Sequence, residues 1–220
     1  MKSLIIAIDG PSGAGKGTVA RAVANELGYR HVDSGAMYRA VGWKALAHGV
    51  AVENEDAVAA LAERSRIEIS STHVRIDDVD VTREIRTPEI DRAATAVARL
   101  AKVRAVLVTR QRAMGEGGAI VMEGRDIGTV VFPRAGVKIY LDADPEERAR
   151  RRTNDQAHTG GPSAVSEVAT MLTARDEIDR TRAASPLYAA EDAVIVDTTG
   201  KSINEVVDEV LAVIRQRLRT

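Results

Sequence analysis

The stretch Gly10-Pro11-Ser12-Gly13-Ala14-Gly15-Lys16-Gly17-Thr18 constrains this chain more than any other segment. It follows the apolar run Leu4-Ile5-Ile6-Ala7-Ile8 and precedes a segment with helical spacing. A buried strand, a glycine-rich turn and a helix in that order form a phosphate-binding loop. Without a Cβ, glycine lets the backbone curl and approach a ligand closely. The curl turns successive N–H groups inward, and the helix adds the positive end of its dipole. Lys16 supplies a mobile ammonium that can follow a phosphoryl group. One detail departs from the common pattern. Gly17 stands directly after the lysine, where Ser or Thr usually binds magnesium, and Thr18 is one residue out of that register.

Composition narrows the function. The 220 residues are 45% hydrophobic and 29% charged, which suits one α/β domain with an insertion. The formal net charge of -1 argues against nucleic-acid binding through the overall field. An aromatic content of 3% leaves little for stacking successive bases. There is no cysteine, so disulfides and thiolate metal sites are excluded. No apolar run reaches membrane-span length, and the one ending before Asp9 is too short for a signal peptide. A cytoplasmic protein is expected, with neither nucleic acid nor membrane as partner.

Along the chain, helical spacing covers Val19 to Leu27, Tyr38 to Ala47 and Asn54 to Arg64, with Arg30 to Val32 as a short strand. The period then changes to two. Ile67 and Ile69, Val74 and Ile76, and Val79 and Val81 alternate around turn signals, which predicts a small antiparallel sheet. Thr87-Pro88 opens a helix or helix pair that runs to Met114. Strands are predicted at Ala119 to Met122, around Val137 to Leu141, and at Val194 to Val196. Pro145 opens an arginine-rich helix, Thr159 to Ser163 reads as a loop, and another helix runs to Arg182. Ser202 and Glu205 form a capping box for the last helix.

Four clusters fall where ligands bind in open α/β sheets, beyond the carboxyl ends of strands. In Asp33 to Arg39, Ser34 stands at a helix start and Arg39 can grip a phosphate with two prongs. Glu123-Gly124-Arg125-Asp126 ends a strand, with Gly124 read as a flexible point. Arg148, Arg151 and Arg152 share one helix face and suit a lid that carries positive charge to transferring phosphates. Arg175, Asp179 and Arg182 share another face, where a plain row of salt bridges is the alternative. His31, His48, His73 and His158 lack metal-ligand spacing and are expected to be structural or solvent-facing.

Nearly end to end, the chain resembles the bacterial cytidylate kinases of the nucleoside monophosphate kinase group. The resemblance rests on Ile8 to Thr18 with its Gly-Lys-Gly-Thr ending, on Asp33 to Arg39, and on Gly124-Arg125-Asp126-Ile127-Gly128-Thr129-Val130-Val131-Phe132-Pro133. Arg175-Asp176, Asp179, Arg182, Pro186-Leu187 and Asp192-Ala193 complete it. It implies a P-loop kinase fold of the α/β class: a five-stranded, mainly parallel sheet, an inserted nucleotide-binding region with a small antiparallel sheet, and a short lid. The expected division is a core of residues 1–33, 87–144 and 184–220, a substrate region 34–86 and a lid 145–183.

The resemblance also implies ATP and Mg2+ as cofactors, with CMP and dCMP as acceptors and a monomeric enzyme. Residues 10–18 would hold ATP. Ser34, Arg39, Arg125 and Arg182 would contact the CMP phosphate, Arg175 and Asp179 the ribose, and Thr95, Arg104 and Asp126 the cytosine. Lys16, Arg125, Arg182, Arg148, Arg151 and Arg152 would act on the transferring phosphates, and no side chain is assigned as a direct metal ligand. In two places the chain departs from the family's pattern: Thr95 stands where Ser is expected, and Glu123 where Asp is common. The alternatives are a related kinase acting on UMP, AMP or shikimate, and an ATP-binding regulatory protein without transfer activity.

Overall fold

The structure is a computed structural model that describes residues 3–155 and 164–219. Its first half comprises β1 (Ile5–Asp9), α1 (Lys16–Leu27), β2 (Arg30–Asp33), α2 (Ser34–Ala47), α3 (Glu55–Arg64), β3 (Ile67–Ile69), β4 (Val74–Ile76) and β5 (Val79–Asp80). There follow α4 (Pro88–Val97), α5 (Ala101–Met114), β6 (Ile120–Gly124), a π-helical turn at Ile127–Val131, β7 (Val137–Asp142), α6 (Pro145–Thr153), α7 (Val165–Thr181), β8 (Val194–Asp197) and α8 (Ile203–Arg219).

The apolar run of β1 becomes the middle of a five-stranded parallel sheet in the order β2-β6-β1-β7-β8. Both faces are covered at the middle of the sheet, so β1 reads as a continuous apolar run rather than an alternation. Ile6 and Ile8 join Val19 and Val23 of α1 and Val210 and Ile214 of α8 in one core. Ala7 turns the other way, with Val32, Ile120, Met122 and Val108 of α5. Full burial of one such aliphatic side chain stabilises the fold by roughly 1.5–3 kcal/mol.

The small second sheet lies in the chain between β2 and β6. The sheet β3-β4-β5 is antiparallel, as the period of two implies. Asp77 and Asp78 turn between β4 and β5 with φ of 48° and 69°. Two successive left-handed residues make the tight hairpin turn whose twist matches the strands. Val74, Ile76 and Val81 pack on Ala36 and Ala40 of α2.

Local signals place most helix ends. Asn54 accepts from Ala57 N at 3.2 Å and Thr87 from Ile90 N at 3.3 Å. Ser202 and Glu205 close the expected capping box. One boundary differs: α2 begins at Ser34, a turn before Tyr38, because the Asp33 side chain caps it. Of the two forms expected after Thr87, the segment takes the helix pair, broken between Val97 and Ala101. The loop expected over 159–163, and His158 with it, lie outside the described residues.

Candidate active site

β1 delivers the chain to the phosphate loop at the sheet's carboxyl edge. Gly10 has a φ of +146°, and a Cβ there would lie 2.0 Å from the Leu141 carbonyl oxygen, so only glycine fits. No side chain caps α1, leaving its first N–H groups to an anion. Lys16 is buried and donates to the Pro11 carbonyl at 2.6 Å. Burial, with Arg125 nearby, lowers its pKa to about 7.

Arg148 does not stand where sequence put it. It is buried beneath the loop, donating to the carbonyls of Ser12 and Ala143 at 3.0 Å each and pairing with Asp176. It braces the loop against α6 and α7 rather than lining the cavity. A helical face is a wide arc, and neighbouring turns decide which part of it each arginine meets. Arg151 does reach the cavity rim and donates to the Thr198 carbonyl at 2.7 Å. Arg152 leans the other way and pairs with Asp91 of α4.

The other half of the site is a set of arginines, each beside a carboxylate. Arg39 donates to Asp33 at 2.5 Å. Arg125 meets Asp179 at 3.1 Å, and Arg182, which caps α7, meets the same carboxylate at 3.3 Å. Although burial pushes Asp179 upward, Arg125, Arg175 and Arg182 together hold its pKa below the ordinary value. Arg175 lies 3.5 Å from Asp91. Arg104 pairs with Asp126 and lies over the Tyr38 ring at 5.3 Å. The other oxygen of Asp126 is 4.0 Å from Arg182. Ser34 donates to the Glu123 carbonyl at 2.6 Å, and Thr95 to the Asp91 carbonyl at 2.8 Å.

A single cavity of about 620 Å³ joins the two halves. Of the expected site residues, Ser12 to Thr18, Ser34, Arg39, Thr95, Arg104, Arg125, Asp126, Arg151, Arg152, Arg175, Asp179 and Arg182 line it. Gly10, Pro11 and Arg148 shape the loop from outside. Gly124 is not a flexible point: it is buried in β6, and a Cβ there would lie 2.5 Å from Ser34 Oγ and 2.7 Å from Ile127. Its absent side chain lets α2 and the π-helical turn close on the strand.

Several residues escaped the sequence. Asp9 accepts from Ile127 N at 2.8 Å and Gly128 N at 2.7 Å, fixing the π-helical turn that follows Asp126. Its burial outweighs these bonds and raises its pKa to about 6. Asp91 gathers two arginines, yet it reads as an ordinary helix-start carboxylate. His31 is structural in an unexpected sense, because it pairs with Glu123, whose side chain lines the cavity.

Comparison with known proteins gives the family. The cytidylate kinase family model matches residues 6–216. The chain belongs to the cytidylate kinase family. Among curated members, it is 45% identical over 222 residues to the cytidylate kinase of Desulfitobacterium hafniense, covering 100% of this chain and 96% of that protein. It is 47% identical to the cytidylate kinase of Pelotomaculum thermopropionicum, covering 94% of each. Among solved structures, a shikimate kinase from Bacteroides thetaiotaomicron superposes with a TM-score of 0.54 at 13% identity, over 96% of this chain and 98% of that one. That likeness concerns the fold, which is a P-loop kinase fold. None of the helices among the described residues is long and apolar enough to cross a membrane.

Proposed function

We propose that this enzyme phosphorylates CMP and dCMP with ATP and Mg2+, by direct in-line transfer to the acceptor phosphate. The observation that carries the reading is the joining, in one cavity, of a phosphate loop with Lys16 to a second, arginine-lined anion site. A regulatory ATP-binding protein has no use for the second site.

The chemistry needs positioning and charge neutralisation more than a covalent nucleophile. The acceptor phosphate is already anionic, so no general base is required. Loop N–H groups and Lys16 would hold the ATP phosphates. Arg39, Arg125 and Arg182 would hold the acceptor phosphate, with Ser34 at the start of α2. Arg175 and Asp179 would meet the ribose. Binding exchanges partners here: a phosphate displaces carboxylates such as Asp33 and Asp179 from arginines already aimed inward.

For the base, Asp126 would accept from the cytosine amino group while Arg104 donates to N3 and O2, with Thr95 at the edge. Uracil reverses the polarity at position 4 and at N3, while O2 stays an acceptor. Mispaired buried polar groups cost about 1–3 kcal/mol each. The preference for CMP is then on the order of a hundredfold or more.

The residues present fit a magnesium ion carried in with the nucleotide. Among the described residues no His, Cys, Asp and Glu cluster would hold a metal unaided. Glu123 offers the cavity a carboxylate beside the first turn of α1. One or two carboxylates plus substrate phosphates are this ion's usual setting. When bound, it neutralises charge on the transferring phosphoryl group.

In this reading the insert between Arg66 and Arg86 and the segment that begins at Arg148 close over the core to keep water from ATP. On the same reading the protein works in the cytoplasm, and as a monomer, since one chain supplies both halves of the cavity. A coupled assay with ATP and CMP, dCMP, UMP, AMP and GMP tests the assignment. CMP and dCMP should be the efficient acceptors, and equal use of UMP would overturn the base reading.

A further inference from the structure

Gly17 and Glu123 each depart from expectation, and the structure places them side by side. A Cβ on Gly17 would lie 3.2 Å from Glu123 Oε1 and 3.6 Å from Oε2. A serine or threonine side chain at that position would crowd the carboxylate, so glycine leaves it room beside the first turn of α1. The carboxylate belongs to β6, where Glu123 is in register with Asp33 of β2.

His31 precedes Asp33 by two residues on β2, so both side chains leave the same face of the sheet. Its Nε2 is 3.0 Å from Glu123 Oε1, and both residues are buried, at 6% and 7% exposure. An ionised carboxylate can only accept, so Nε2–H donates. The other ring nitrogen, Nδ1, has no hydrogen-bond partner among the described residues. A buried polar atom without a partner is a cost that an aliphatic residue on β2 would avoid. The bond to Glu123 is what the imidazole adds in return.

We propose that His31 is a positioning residue that holds the Glu123 carboxylate over the first turn of α1, in the space left by Gly17. A carboxylate then serves the nucleotide's divalent cation where other phosphate loops place a hydroxyl. The inference rests on the ATP–magnesium reading above, and it adds the residue that orients the carboxylate.

The test is binding of Mn2+ to the full-length enzyme with ADP, followed by electron paramagnetic resonance, with metal-free ADP affinity and thermal unfolding as controls. His31→Leu should weaken Mn2+ binding about tenfold, as loss of such an outer partner does. Metal-free ADP should bind as before. His31→Gln, which keeps an N–H donor, should restore most of the affinity. Adding His31→Leu to Glu123→Gln should cause no further loss, because the two act as one unit. If His31→Leu does not fold, His31→Val makes the same comparison. Unchanged Mn2+ binding in His31→Leu, beside weakened binding in Glu123→Gln, would overturn the role of His31 and leave the magnesium reading standing. Unchanged binding in Glu123→Gln would overturn both.

Discussion

The two halves of the cavity hold phosphate by opposite means. The loop between β1 and α1 uses main-chain N–H groups, fixed by glycine geometry and braced by Arg148 and Asp176. Its single mobile charge is Lys16. The acceptor half uses side chains from α2, α5, the end of β6 and α7, each arginine beside an aspartate. The first half is fixed in its main chain, so only Lys16, bonded to the Pro11 carbonyl, exchanges partners when a phosphate enters. The second is aimed in advance, but its ion pairs must exchange partners. Specificity therefore belongs to the second half, where side chains rather than backbone meet the ligand.

The largest effect should follow loss of the one mobile charge in the rigid half. Lys16→Met should lower turnover by several orders of magnitude, because charge at the transition state loses its partner. Near-normal turnover in the folded variant would remove the loop from the chemistry.

The acceptor half divides into phosphate and base contacts, and two substitutions separate them. Arg182→Ala should lower kcat/KM for CMP and UMP by similar factors, since a phosphate contact carries no base information. Asp126→Asn should instead narrow the CMP-to-UMP ratio, because an amide presents either a donor or an acceptor. A ratio that moves with Arg182 and not with Asp126 would reverse these roles.

The smallest effect concerns stability. Lys16 titrates near pH 7 in the folded protein, below its value of 10.5 when exposed, so the unfolded chain binds the extra proton between those values. The cost of burying the ammonium is full below about pH 7 and fades as pH rises toward 10.5. Lys16→Met should therefore raise the Tm of the free protein by several degrees at pH 6, with a smaller gain at pH 9. A gain that grows with pH would contradict the burial argument.

The same contrast explains what could be read from sequence. The loop is local: strand, glycines, lysine and helix lie within one short stretch, and the caps at Asn54, Thr87 and Ser202 are local too. The strands at the middle of the sheet are legible because strands covered on both faces are continuously apolar, whereas their order in the sheet is not. The acceptor half comes together only in three dimensions. Position at strand ends and on helix faces picked out Arg39, Arg125, Arg175 and Arg182, and the family resemblance added Arg104, but spacing alone could not show that Arg148 turns under the loop while Arg151 and Arg152 reach the cavity. Nor could it reveal Asp9 gripping the π-helical turn, since a carboxylate at a strand end carries no local mark of its distant donors. Gly124 shows the limit most clearly. Sequence cannot distinguish a glycine kept for motion from one kept because Ser34 and Ile127 fill the place of its side chain.

The most direct test of the central claim, that both halves serve one transfer, is the affinity of a ligand spanning them. A cytidine and an adenosine joined by five phosphates should bind at least about a hundredfold more tightly than ATP or CMP alone, because the second half engages at high effective concentration. Binding no tighter than the better single nucleotide would mean that the two halves do not meet across a transferable phosphate, and would contradict the account.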